Sequence, residues 1–192
     1  NSFAQMRQFS SDASHELRTP LTVLKGQNEL VLSKPRDLKE YQEVIVSNLE
    51  EINYMSKVLE DLFILSKSDE NQIHLNCKPM ELRDLVEEVC KHAEVLASDK
   101  DIRIIIAFLE SVKINGDEVR LQQMIWNILH NGYKYTQPGG ELKVSLQDEG
   151  EFSLLSIQDT GIGISEKDLP SIFDRFYRVD KARSRDEGGS GL

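Results

Sequence analysis

The spacing of apolar residues changes once along this chain, and that change divides it. In the first stretch they fall at Phe3, Met6, Ala13, Leu17, Leu24 and Val31, in steps of three, four and seven. Steps of that size place side chains on one face of a helix, so the pattern predicts a helix from Phe3 to about Ser33 with one buried seam. Ser33-Lys34-Pro35-Arg36-Asp37 breaks it, because Pro35 disfavours helical geometry at the residue before it. A second run follows, through Leu38, Ile45, Leu49, Ile52, Met55 or Ser56, Leu59, Leu62 and Leu65, and ends near Lys67. Two amphipathic helices joined by a short turn form an antiparallel hairpin. A lone hairpin leaves much of its stripe wet, so a four-helix bundle with a second copy is expected through residues 1–67. The competing arrangement packs the hairpin onto the rest of its own chain.

After Ser68-Asp69-Glu70-Asn71 the spacing shortens. Ile73-His74-Leu75-Asn76-Cys77 alternates like a strand, and Met80 to about Ser98 is helical. Ile102–Phe108 and Val112–Ile114 are short β-rich runs, and Glu118–Tyr135 is helical again. Glu141–Asp148 and Glu151–Asp159 alternate on either side of Glu149-Gly150, the signature of a hairpin. The fold class expected is α+β: a helical hairpin, then a mixed sheet with helices on one face.

Lys and Arg total 23 against 33 Asp and Glu, a formal net charge of −10. Such a chain does not attract nucleic acid backbones, so no nucleic acid partner is expected. Two cysteines, Cys77 and Cys90, lie too far apart for a Cys-x-x-Cys pair and read as reduced thiols. No apolar run is long enough to span a bilayer, so no direct membrane contact is expected within this stretch. Asn1 is not a natural initiator, and the sequence reads as a piece of something longer.

Four local patterns in the second half carry chemistry. Asn127 and Asn131 sit at i and i+4 of a helix and share a face. Their amide oxygens can hold Mg²⁺ beside nucleotide phosphates, though two solvated amides would look the same. Lys134 lies on the same side and can meet a phosphate as a point charge. Asp159-Thr160-Gly161-Ile162-Gly163 follows a strand. Its glycines let the backbone pass close to a flat ligand, and its carboxylate can accept from an exocyclic amino group. An ordinary Asp-Thr-Gly turn has the same sequence. Phe173 to Arg178 alternates aromatic residues with Arg and also suits a hydrophobic loop anchor. Gly188-Gly189-Ser190-Gly191-Leu192 has the composition of a mobile lid whose N–H groups can face phosphates.

In the first helix, His15 lies opposite the midpoint of Ala13 and Leu17 at about 100° per residue, which puts it in water. An exposed helical His is most often simply solvated. Glu16 beside it can hold the imidazole tautomer and accept its proton. Pro20 removes a helix N–H and allows a bend there.

In this order, these stretches resemble the histidine kinases of two-component systems over nearly the whole chain. Phe9 to Leu21 is similar to the family's H box. Asn127-x-x-x-Asn131 with Tyr133-Lys134-Tyr135-Thr136 resembles the N box, and Asp117-Glu118-x-Arg120-Leu121 before it follows the family pattern approximately. Asp159-x-Gly161-x-Gly163 resembles the G1 box, Phe173-x-x-Phe176 the F box, and Gly189-Ser190-Gly191-Leu192 the start of the G2 box. The resemblance implies a dimerisation and phosphotransfer domain at 1–70 and a Bergerat-type ATP-binding domain at 71–192. It implies ATP and Mg²⁺, with Asn127 and Asn131 on the metal, Lys134 and Tyr135 near the phosphates, Asp159 on the adenine amino group, and Gly161, Gly163, Gly189 and Gly191 lining the nucleotide. His15 would take the γ-phosphoryl group and pass it to an aspartate of a response regulator. Thr19, one turn beyond, would serve the reverse dephosphorylation. The parent would be a bacterial inner-membrane sensor, with this stretch on its cytoplasmic side.

Gly132 departs from the family, which usually has Ala there; the cost expected is helix propensity, about 1 kcal/mol. The sequence also stops inside the G2 box, so the second domain is expected to lack a final helix and strand. Other ATPases of the same fold lack the H box hairpin. A scaffold with a degenerate site would be expected to lose His15, Asn131 or Asp159.

Overall fold

The computed structural model describes residues 2–69, 74–175 and 177–179. The side chains of 2–10, 12, 68 and 69 lie outside that description. The described residues fall into two compact units: the helical hairpin together with the segment from Glu166, and His74–Ser165.

In the first unit, α1 (Ser2–Leu32) and α2 (Leu38–Asp69) form the hairpin. Asp37 starts α2 with a reciprocal cap: its carboxylate accepts from the Glu40 N–H at 2.8 Å, and the Glu40 carboxylate accepts from the Asp37 N–H at 3.2 Å. Two of the N–H groups that a helix start leaves unpaired are thereby satisfied. Arg36 adds a 2.9 Å ion pair to Glu40. Two adjacent polar pairs tie the helices together near the turn, with Gln27 Nε2 donating to Ser47 Oγ (2.9 Å) and Asn48 Nδ2 to Asn28 Oδ1 (3.3 Å).

The face of α2 turned to α1 differs from the stripe expected. Ser47, Asn48, Tyr54, Met55, Leu62 and Leu65 are half-buried and Val58 is fully buried. Ile45, Leu49, Ile52 and Leu59 remain 58%, 52%, 45% and 54% exposed. The sequence stripe therefore merges two faces, because polar Ser47 and Asn48 fill inward positions through hydrogen bonds that periodicity of apolar residues does not register.

In the second unit, β2 (Arg103–Leu109) runs parallel to β4 (Glu141–Asp148), which pairs antiparallel with β5 (Ser153–Asp159). This mixed sheet has the order β2-β4-β5. A separate antiparallel ribbon joins β1 (Lys78–Glu81) and β3 (Lys113–Gly116). The first strand lies later than the Ile73–Cys77 run expected. Leu75 is 58% exposed, whereas Met80 pairs with Ile114 and both pack on the core. The alternation before Lys78 has no partner for an apolar face among the described residues.

Helices α3 (Leu82–Ser98) and α4 (Glu118–Tyr135) pack on the sheet. Leu82, Leu85, Val86, Val89, Cys90, Ala93 and Ala97 give α3 its buried face. Ile125 and Leu129 of α4 join Leu142, Val144 and Leu146 of β4, each 0–1% exposed. Each such side chain contributes about 1.5–3 kcal/mol on burial. Both cysteines are free; burial pushes the Cys90 thiol up to about 11, which leaves it chemically quiet.

Candidate active site

Chemistry-bearing residues collect at the C-terminal end of α4. Asp117 starts this helix by accepting from Asn76 N–H (2.9 Å) and Arg120 N–H (3.2 Å), in that order the causes that hold its carboxyl below its usual value. Asn127 and Asn131, one turn apart, are both exposed. Lys134 is only 8% exposed, and its Nζ lies 5.2 Å from the Tyr135 ring centroid, within cation–π range.

The end of β5 meets this turn of α4. Ile162 N–H donates to the Tyr135 carbonyl (3.2 Å), and Gly161 N–H donates to Asp159 Oδ1 (2.8 Å). The exposed Asp159 carboxylate is therefore oriented by its own turn, with Oδ2 outside that bond. A Cβ on Gly161 would lie 2.5 Å from the Tyr135 carbonyl oxygen, a backbone atom that cannot swing away. Gly163 has φ +69°, a conformation that favours glycine. Gly189 and Gly191 lie outside the described residues.

Gly132 has a packing reason rather than only a propensity cost. A Cβ there would stand 2.6 Å from Leu142 Cδ2 and 3.7 Å from the Asp159 Cβ. The missing methyl lets α4 seat closely on β4 beside Asp159.

Among the described residues no group of three or more His, Cys, Asp or Glu is placed to hold a metal. Asn127 and Asn131 offer two neutral amides, too few for an all-protein cage. They fit a Mg²⁺ that brings phosphate oxygens and water as its remaining ligands.

The hairpin unit holds the second set. His15 is exposed on α1. The Thr19 hydroxyl donates to the His15 carbonyl at 3.3 Å. Glu16 Oε2 accepts from the Tyr54 hydroxyl at 2.8 Å, and Arg178 Nη1 lies 3.8 Å from the same oxygen. Tyr54 and Arg178 were not evident in the sequence as partners of Glu16. Tyr54 sits on the α1-facing side of α2, a face that the apolar count misassigned. The Phe173–Arg178 stretch does not act as an apolar anchor through Phe173, which is 92% exposed. Tyr177 instead donates to the buried Asp168 carboxylate at 2.8 Å. Phe176 lies outside the described residues.

Residues 5–71 match the His Kinase A (phospho-acceptor) domain, and residues 116–192 match the Histidine kinase-, DNA gyrase B-, and HSP90-like ATPase. The sensor histidine kinase CusS of Escherichia coli O157:H7 is 36% identical over 190 residues, covering 99% of this chain and 39% of CusS. The sensor protein IrlS of Burkholderia pseudomallei is 34% identical over 191 residues, covering 100% of this chain and 41% of IrlS. Among solved structures, the Acinetobacter baumannii histidine kinase AdeS matches at TM-score 0.72 and 27% identity, over 84% of this chain and 79% of the AdeS chain. The chain belongs to the sensor histidine kinases of two-component systems. It spans about two fifths of the length of these curated relatives, 39% of CusS and 41% of IrlS.

The Gly161 contact generates a direct test. Gly161→Ala forces a methyl against the Tyr135 carbonyl and should cost about 1–3 kcal/mol, as overpacking does. Thermal unfolding should show a lowered midpoint. An unchanged midpoint would mean that the Asp159 turn can leave α4 freely.

Proposed function

We propose that this chain transfers the γ-phosphoryl group of ATP to His15 and passes it on to an aspartate of a response regulator receiver domain. The observation that carries the reading is the exposed His15 beside Glu16, in one chain with the Asn127, Asn131 and Asp159 constellation on α4 and β5. Residues 1–70 serve dimerisation and phosphotransfer, and residues 71–192 bind ATP. A ring nitrogen of His15 attacks the γ-phosphorus. The bond to the bridging oxygen breaks, and ADP leaves with its electron pair. The proton on the other ring nitrogen passes to the Glu16 carboxylate. Such transfer needs in-line positioning and charge neutralisation more than covalent help.

Asp159 accepts from the adenine amino group, while Gly161 and Gly163 allow the ring to lie against backbone. Lys134 and Tyr135 stand near the phosphates, and Asn127 and Asn131 hold Mg²⁺. When bound, that ion neutralises phosphate charge. Among the described residues no helix is long and apolar enough to cross a membrane. The placement proposed is the cytoplasmic portion of a bacterial inner-membrane sensor.

Label from γ-labelled ATP should be acid-labile on the parent protein and absent from His15→Gln. Label that persists in that variant would overturn the assignment.

The exposed stripe of Ile45, Leu49, Ile52 and Leu59 supports a homodimer through residues 1–67. Leu49→Asp would bury a charge in that seam. Light scattering should report a monomer for this variant and a dimer for the parent. A parent monomer, or a variant dimer of unchanged mass, would count against the bundle.

Thr19 donates its hydroxyl proton to a helix carbonyl, so its oxygen can still accept from a water. We propose that this water serves dephosphorylation of the receiver domain. Thr19→Ala should lose phosphatase activity while keeping autophosphorylation. Equal loss of both would reduce Thr19 to a helix residue.

A further inference from the structure

Glu16 is the group proposed to take the proton of His15, yet its position is not set by α1 alone. A glutamate on a helix surface has three side-chain torsions and, left free, samples many rotamers. Here the Glu16 side chain is 28% exposed, and Oε2 is engaged from two other segments. The Tyr54 hydroxyl donates to it at 2.8 Å from α2, and Arg178, 10% exposed, approaches to 3.8 Å. The short hydrogen bond to the carboxylate is directional; the 3.8 Å ion pair fixes little about orientation. Oε1 has neither contact and is the oxygen left for the imidazole proton.

We propose that Tyr54 is a positioning residue for phosphoryl transfer: its hydroxyl fixes Glu16 through Oε2 so that Oε1 receives the proton from His15. The proposal rests on the reading of His15 as phosphoacceptor. Tyr54 stays a donor throughout the working pH range. Burial raises its pKa most, followed by the hydrogen bond to Glu16 and that carboxylate's charge; Arg178 opposes and Glu51 adds a little. The α1–α2 pairing therefore has a catalytic consequence as well as a structural one. Tyr54 touches neither ATP nor the imidazole and acts on the rate only through Glu16.

The test is a double-mutant cycle in the parent protein, with autophosphorylation rates measured across ATP concentrations for wild type, Tyr54→Phe, Glu16→Gln and the pair. Phe keeps the ring and removes only the hydroxyl. Tyr54→Phe should lower the limiting rate about tenfold, the effect of losing a hydrogen bond to a charged group. KM for ATP should be unchanged, because the nucleotide is held elsewhere. In the Glu16→Gln background the same change should have little further effect, since residues that act through one another are not additive. Light scattering of Tyr54→Phe should match wild type, and its unfolding midpoint should fall by only a few degrees, as the loss of one hydrogen bond implies. A wild-type or faster rate in Tyr54→Phe would overturn the proposal, as would an equal fold loss in the Glu16→Gln background. Acid-labile label that survives in His15→Gln, or none on the wild type, overturns the kinase reading itself and the role of Tyr54 with it.

Discussion

Leu142, Val144 and Leu146, on alternate positions of β4, are the contact on which the ATPase-like unit depends. They sit on the central strand, so their burial by Ile125 and Leu129 sets the height of α4 above the sheet. That height decides the chemistry at the edge. Gly132 is in van der Waals range of Leu142 only because it lacks a Cβ, and it lies beside Asp159. The asparagines and the aspartate are thus positioned by one apolar layer, although none of the three belongs to it. A core that packs to crystal-like density transmits sub-ångström errors rather than absorbing them.

Strong periodic segments were readable from the sequence, and segments fixed by long-range polar contacts were not. Glu118–Tyr135 and the Glu141–Asp148 strand have the same bounds in the structure as the pattern assigned. Their apolar faces meet a core, so pattern and burial coincide. Ile73–Cys77 alternates just as cleanly, yet pairing with β3 selects Lys78–Glu81 instead. Alternation records which residues share a face and is silent about which strand lies opposite. The Asp37-x-x-Glu40 spacing that caps α2 lies two residues after Pro35, so the break and the new start share one short segment.

The same limit applies at the candidate site. His15, Asn127, Asn131 and Asp159 are candidates in the sequence because each carries a functional group near a recognisable pattern, and each is exposed in the structure. Tyr54 and Arg178 bear on the site from other segments, reaching Glu16 across 38 residues of chain in the case of Tyr54. In the sequence Gly132 shows only a loss of helix propensity. Its meaning lies in Leu142, a strand away, and only the folded geometry relates the two.

Pro20 sits buried inside α1 and offers no N–H to the carbonyl of Glu16, four residues before it. One residue earlier, the His15 carbonyl is shared with the Thr19 hydroxyl. Such back-bonding weakens the regular ladder. Two successive carbonyls in the turn that follows the candidate phosphoacceptor are therefore poorly served by the helix itself. Cooperative opening begins where backbone bonds are fewest. Amide protons around His15 would exchange with solvent ahead of those in the middle of α2. The helix thus carries a weakened turn where an incoming group must be met and a charged product released.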